Sequence, residues 1–272
     1  MSYLIYILNV AAALLYFITT TTILIFPLLK NGKKEKIIDR TIIIGFSLHT
    51  LSIIVTIVHR GLFPALNLTE ALFLISWTAF GIIFIINILY KPRLARLVIL
   101  PIIFIMYLIS LESGTQEVTD NYLFSHPLFP VHVFFSIIGE ATFLIAFLLG
   151  IFFFIESYSL KNKKLISIFG YLPSLEALEE AIMRLFYGGF LCISVGLITG
   201  IIWISLDKNL HFDTNPKLIF MMMSWFFYGS IILAKHLLTL RGKRIAYTAI
   251  FGFILILCTF FGAYFTNNWH SF

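Results

Sequence analysis

Long apolar runs, each bounded by a polar or charged cluster, recur along the whole of this 272-residue chain. A membrane-crossing helix needs about 20 mostly apolar residues. Runs of that kind cover residues 3–29, 41–58, 67–90, 94–111, 131–158, 183–205, 218–240 and 245–264, the fourth being the shortest. The pattern predicts an all-α integral membrane protein with about eight transmembrane helices. No long polar insert separates the runs, so residues 1–272 read as a single polytopic membrane domain. The first run lacks a preceding basic cluster and a small-residue cleavage site, which predicts a retained helix.

The basic residues orient these spans. Lys30, Lys33, Lys34, Lys36 and Arg40 follow the first run, and Lys91, Arg93 and Arg96 follow the third. Lys161, Lys163, Lys164 and Arg184 come after the fifth, and Arg241, Lys243 and Arg244 after the seventh. The opposite face holds Arg60, Lys208 and Lys217, while Lys235 lies within the seventh run near its basic end. Basic loops stay in the cytoplasm, so both termini are expected outside it. The longest outer loop, 112–130, carries acids but no Lys or Arg.

Composition agrees with this picture: 60% of the residues are hydrophobic and 12% charged. Soluble domains carry about 25% charged residues, so lipid is the expected surrounding. The net charge of +6 resides in loop clusters and not along one face, which argues against a nucleic-acid partner. Cys192 and Cys258 lie inside apolar runs and form no CxxC pair, so they read as small core side chains. Pro173 and Ser174, followed by Glu176, Glu179 and Glu180, look like a capped helix start. The expectation is a short helix along the inner surface, over 174–183, before the sixth span turns outward.

Polar residues at membrane depth carry the most information, because each is costly there. His49 falls near the middle of the second span and His236 in the inner half of the seventh, at about 12 and 6 Å from the basic ends by helix rise. His132 opens the fifth span at the outer face and His270 follows the eighth on that face; His59, His126 and His211 are also outer. Two histidines on facing helices can hold a haem iron axially, which gives an inner pair, His49 with His236, and an outer pair, His132 with His270. Arg60, at the outer boundary, could meet a propionate. The alternative for each histidine is a hydrogen-bonded residue at a helix boundary. Spacing alone leaves both readings open.

The motifs resemble those of the cytochrome c assembly family, the CcsA/ResC-like membrane proteins that handle haem. The stretch from His49 to Trp77, with Arg60, Phe63-Pro64 and Asn67-Leu68-Thr69-Glu70-Ala71-Leu72, is similar to the family's membrane histidine, arginine and Asn-x-x-Glu segment. His132-Val133 is similar to its first outer histidine. The run from Leu172 through Leu178, and then Gly196-Leu197-Ile198-Thr199-Gly200-Ile201-Ile202-Trp203, resembles the segment before its tryptophan-rich loop. His236 is similar to the second membrane histidine, and Trp269-His270-Ser271-Phe272 to the terminal histidine motif. The resemblance covers roughly residues 43–272. It implies that His132 and His270 flank a haem, specifically haem b, at the outer face, and that His49 and His236 are the membrane pair.

One departure narrows the expected role. Members that attach haem to apocytochrome carry an outer loop rich in tryptophan; the corresponding stretch here, 206–218, has none and ends Thr214-Asn215-Pro216-Lys217-Leu218. That points to the HemX-type branch, and so implies a regulator of haem biosynthesis in the bacterial cytoplasmic membrane, not an enzyme. Its implied partners are membrane lipid and, on the cytoplasmic side, glutamyl-tRNA reductase or another haem-pathway protein. The competing expectation is a haem-handling or delivery component of cytochrome c maturation. A transporter without haem would predict internally repeated halves with interrupted helices, and the sequence shows no clear repeat.

Overall fold

A backbone in lipid must satisfy its own polar groups, which leaves the helix as the natural solution for separate apolar runs. The computed structural model of the chain describes residues 1–25, 32–90, 93–111, 122–162, 174–206, 216–238 and 240–265, and no strand occurs among them. The helices are α1 (Ser2–Ile25), α2 (Gly32–Arg60), α3 (Leu68–Tyr90), α4 (Arg93–Ser110), α5 (Tyr122–Ser125), α6 (Leu128–Asn162), α7 (Leu175–Ser205), α8 (Pro216–Leu238) and α9 (Lys243–Phe265). Among the described residues, six segments are long and apolar enough to cross a membrane: Ser2–Ile25, Lys36–Arg60, Leu68–Ile86, Leu128–Lys161, Leu175–Ser205 and Ile219–Leu238. Leu97–Ser110 is a shorter apolar helix; it contains Pro101, which removes one backbone hydrogen bond from its middle. Large apolar side chains such as Ile43, Ile44, Leu51 and Ile54 are exposed along α2, as expected where lipid is the solvent.

Two helix starts differ from expectation. The basic segment before the second span belongs to α2, which begins at Gly32. Lys and Glu are good helix formers, and nothing between Lys33 and Arg40 breaks the helix. Likewise, 174–183 is not a separate surface helix but the opening of α7, continuous to Ser205. Ser174 does cap it, accepting from the Ala177 amide at 3.2 Å. Leu178, Ile182, Met183 and Phe186 then bury one continuous stripe, so no break separates the acidic turn from the span.

The described helices form two compact units, α1–α4 and α5–α9. In the first, Tyr16 of α1 is fully buried, stacked on Phe80 of α3 at 3.6 Å between ring centroids. It lies over Gly45 of α2, where a Cβ would stand 2.8 Å from its ring. Trp77 of α3 stacks on Phe46 of α2 and donates its indole N–H to Thr50 at 2.8 Å. In the second unit α6 packs against α7 and α9, and α8 against α7 and α9. Phe143 of α6 stacks on Tyr228 of α8 at 3.7 Å, over Gly189 of α7, whose Cβ would again stand 2.8 Å from the ring. Trp225 of α8 stacks on Phe190 of α7 and donates to Ser194 at 2.8 Å. The two units therefore use one packing scheme.

Candidate functional site

His49 sits inside the first unit, fully buried on α2. Its ring lies 4.2 Å from that of Phe73 and 4.6 Å from that of Tyr107. Nδ1 is 3.5 Å from the Tyr16 hydroxyl, and Nε2 has no hydrogen-bond partner. Tyr107 is itself held by its hydroxyl, which donates to the Asn9 carbonyl at 3.1 Å, while the Asn9 side chain accepts from Ser52 at 2.5 Å. One imidazole nitrogen is thus left without a partner inside an aromatic cage at mid-span. Buried polar atoms are nearly always paired, so this one is a binding candidate.

Arg60, at the C-terminal end of α2, makes an ion pair with Glu70 in the first turn of α3. The two side chains are 20% and 13% exposed, so the guanidinium is engaged by the glutamate of the Asn-x-x-Glu segment. Gly61 ends α2 with φ of +72°, and its N–H donates to the Ile57 carbonyl at 2.8 Å. The same turn therefore closes the helix and brings Arg60 to Glu70. His59 lies beside it, with Nε2 3.5 Å from the Ser2 hydroxyl.

The second unit holds His132, His126 and His236. His126 is structural: its Nδ1 accepts from the Leu128 amide at 3.2 Å where α6 begins. His132 donates from Nδ1 to the Gly196 carbonyl of α7 at 2.7 Å. A Cβ on Gly200 would fall 2.5 Å from that nitrogen, and the Trp203 ring lies 5.9 Å away, inclined by only 24°. Gly196, Gly200 and Trp203 are spaced along one face of α7, which explains what this motif does: it forms a seat for an imidazole. One turn further along α6, the buried Ser136 hydroxyl has no partner.

His236 is exposed near the end of α8, with Nε2 3.2 Å from the Tyr187 hydroxyl of α7. Beside it Lys235 donates to Glu179 at 2.8 Å and to the Leu240 carbonyl at 2.7 Å. The other Glu179 oxygen accepts from the Gly242 amide at 2.6 Å, where φ is +60°. A single carboxylate so ties the start of α7 to the end of α8 and to the turn into α9. His49 and His236 belong to different units, and each is described within its own. His270 and His211 lie outside the described residues, as do the stretches 207–215 and 112–121.

The described helices, six of them long and apolar enough to span, with histidines lodged among them, define a multi-pass α-helical membrane protein. The sequence profile of the cytochrome C assembly protein family matches residues 65–270, and the chain belongs to that family. It is 22% identical to protein HemX of Brevibacillus brevis over 246 residues, covering 89% of each chain. It is 24% identical over 237 residues to the cytochrome c biogenesis protein CcsA of Guillardia theta, covering 78% of this chain and 76% of that one. The inner membrane protein YpjD of Escherichia coli K12 is 25% identical over 167 residues, 61% of this chain and 62% of that protein.

Proposed function

We propose that the chain is a HemX-type haem-binding protein of the bacterial cytoplasmic membrane that restrains haem synthesis by lowering glutamyl-tRNA reductase. It crosses the bilayer eight times with both termini outside, α4 and α9 being the fourth and eighth spans. The observation that carries the haem part is the unpartnered Nε2 of the fully buried His49. Enclosed by Phe73, Tyr107 and Tyr16, that nitrogen suits a ligand to haem iron when the ring proton is on Nδ1, facing the Tyr16 hydroxyl. The donation from His132 Nδ1 to a carbonyl fits the same chemistry, because it leaves the lone pair on Nε2. His49, His236, His132 and His270 are the proposed ligands, of haem b.

Haem bound there would supply an iron centre whose occupancy reports haem supply. This chain's residues hold the imidazoles, keep water from His49, and fix the inner end of the second unit through Glu179. Arg60 is already engaged by Glu70, so a contact to a propionate would require sharing or exchange of that partner. The match to HemX over 89% of each chain and the absence of tryptophan from 206–218 favour regulation over haem attachment.

Deleting the gene tests the regulatory part. The glutamyl-tRNA reductase level is expected to rise several-fold, and a His49→Ala allele should reproduce part of the rise. An unaltered reductase level contradicts the proposal. Loss of covalent c-type haem in the deletion strain would instead support a delivery role in cytochrome c maturation.

A further inference from the structure

We propose that Gly196, Gly200 and Trp203 are positioning residues which hold His132 as the Nδ1–H tautomer and so make Nε2 its ligand nitrogen. The proposal rests on reading His132 as a haem ligand. Its geometric basis is independent of haem. A Cβ on Gly196 would come within 2.5 Å of the Ser136 hydroxyl and 3.1 Å of the Ser136 amide nitrogen, so α6 and α7 approach closely there. That approach brings the Gly196 carbonyl to 2.7 Å from Nδ1. A carbonyl accepts only, so the nitrogen facing it carries the proton.

The ring has little freedom to turn away. Its Nδ1 and Cε1 lie 2.5 and 2.7 Å from where a Cβ of Gly200 would be, so any side chain at 200 displaces it. Trp203 lies nearly parallel to it and is itself 1% exposed, in ring contact with Phe129 and Phe124. Thr199 also donates to the Gly196 carbonyl, at 3.1 Å. Hydrogen bonding from the far nitrogen fixes ring orientation and strengthens the ligating one.

Nitrogen-15 NMR of the full chain labelled at histidine tests this, with the His132 signals assigned by their absence in His132→Ala. In the neutral ring, the wild type is expected to show His132 protonated at Nδ1 alone. In Gly200→Ala that single tautomer should give way to a mixture. Haem added to this variant should lose the low-spin signal due to His132 and regain it with free imidazole. Gly188→Ala, whose new methyl meets nothing within 4 Å, is the control on α7 and should behave as wild type. An Nε2-protonated His132, or a tautomer indifferent to Gly200→Ala, overturns the proposal. An Nδ1-protonated His132 whose removal leaves the haem spectrum unchanged overturns the haem reading of this site alone.

A different observation carries a second inference. One shift in numbering per helix superposes the ties of the two units. Tyr16 over Gly45 becomes Phe143 over Gly189, and Tyr16 on Phe80 becomes Phe143 on Tyr228. Phe46–Trp77–Thr50 becomes Phe190–Trp225–Ser194. A Cβ on Gly81 would meet Phe46 at 3.2 Å, and one on Gly229 would meet Phe190 at 3.2 Å. With the same shifts, Ser2–His59 becomes Phe129–Trp203, and Asn9–Ser52 becomes Ser136–Gly196.

We infer that α1–α3 and α6–α8 are two copies of one module, each followed by a helix packed on its first, α4 on α1 and α9 on α6. The seam between the first two helices of each copy bears its buried or seated histidine, His49 in one and His132 in the other; Ile193 is the counterpart of His49. With the eight spans proposed above, equivalent positions face the same side of the membrane. After Cys192 and Cys258 are replaced by Ala, single cysteines at the equivalent pairs Lys36 with Glu180 and Leu62 with Leu206 test it with a membrane-impermeant maleimide. Leu62→Cys and Leu206→Cys should label in intact cells, and Lys36→Cys and Glu180→Cys only after permeabilisation. Members of a pair labelling from opposite faces overturn the inference.

Discussion

His49→Leu is expected to abolish ligation at the mid-membrane site and, at the same time, to stabilise the ligand-free protein by about 1 kcal/mol. Ordinarily the loss of a fully buried side chain that contacts three aromatic rings would weaken a fold. Here the wild-type residue already buries an unsatisfied nitrogen, which costs about 1–3 kcal/mol, and leucine has a similar volume without it. The gain is reduced because the Tyr16 hydroxyl loses its 3.5 Å contact with Nδ1. Haem titration reads the first effect, and denaturant titration of purified ligand-free protein, compared with wild type, reads the second. A variant that is both less stable and still loaded with the full complement of haem contradicts the reading of His49 as a residue kept for binding.

Gly139→Val should have the largest effect of opposite kind, lowering stability by about 2–3 kcal/mol. Membrane helices have no hydrophobic force between them and associate through close packing at small residues. At Gly139 the approach of α6 to α7 is extreme: a Cβ would stand 2.3 Å from Ile193 Cγ2 and 3.2 Å from both the Gly189 carbonyl oxygen and the Ile193 backbone nitrogen. A shifted rotamer could relieve the first contact, but the other two are backbone. Adding Ile193→Ala should therefore recover only part of the loss in a double-mutant cycle. On the exposed face of α7, Gly188→Ala, in open space, should gain up to about 1 kcal/mol from helix propensity. Equal effects at Gly139 and Gly188 would show that propensity, not contact, governs the seam.

These contrasts mark what the sequence could and could not say. The apolar runs located the helices because the length of a span is set by the bilayer, and residues 3–29 and 67–90 correspond to α1 and α3 within a few residues where both are described. Loop charge misplaced the start of α2, since Lys and Arg at a membrane boundary suit a helix turn as well as a loop. The acidic opening of α7 was recognisable as a capped start, but its continuity with the span depends on the buried stripe from Leu178 to Phe186. His49 stood out because imidazole at mid-depth is rare. Its cage did not, since Phe73, Tyr107 and Tyr16 come from three other helices.

The seat of His132 was half legible. Gly196, Gly200 and Trp203 were visible as a spaced motif, but only the partner helix shows that the glycines make room for an imidazole. Arg60 and Glu70 both flank the turn after α2, so their pairing could have been anticipated from opposite charge across a short connection. The repeat was invisible because equivalent positions share roles and not identities. Tyr16 answers to Phe143, Phe80 to Tyr228, Thr50 to Ser194 and His49 to Ile193, so only scattered Gly, Phe and Trp positions coincide.

The visible spectrum of the protein purified from haem-replete membranes tests the central claim most directly, recorded for the wild type, His49→Ala, His132→Ala and the double variant. A Soret band that falls in each single variant and is nearly lost in the double one is the predicted result. A wild-type protein with no Soret band, or a band that all three variants keep unchanged, would contradict it.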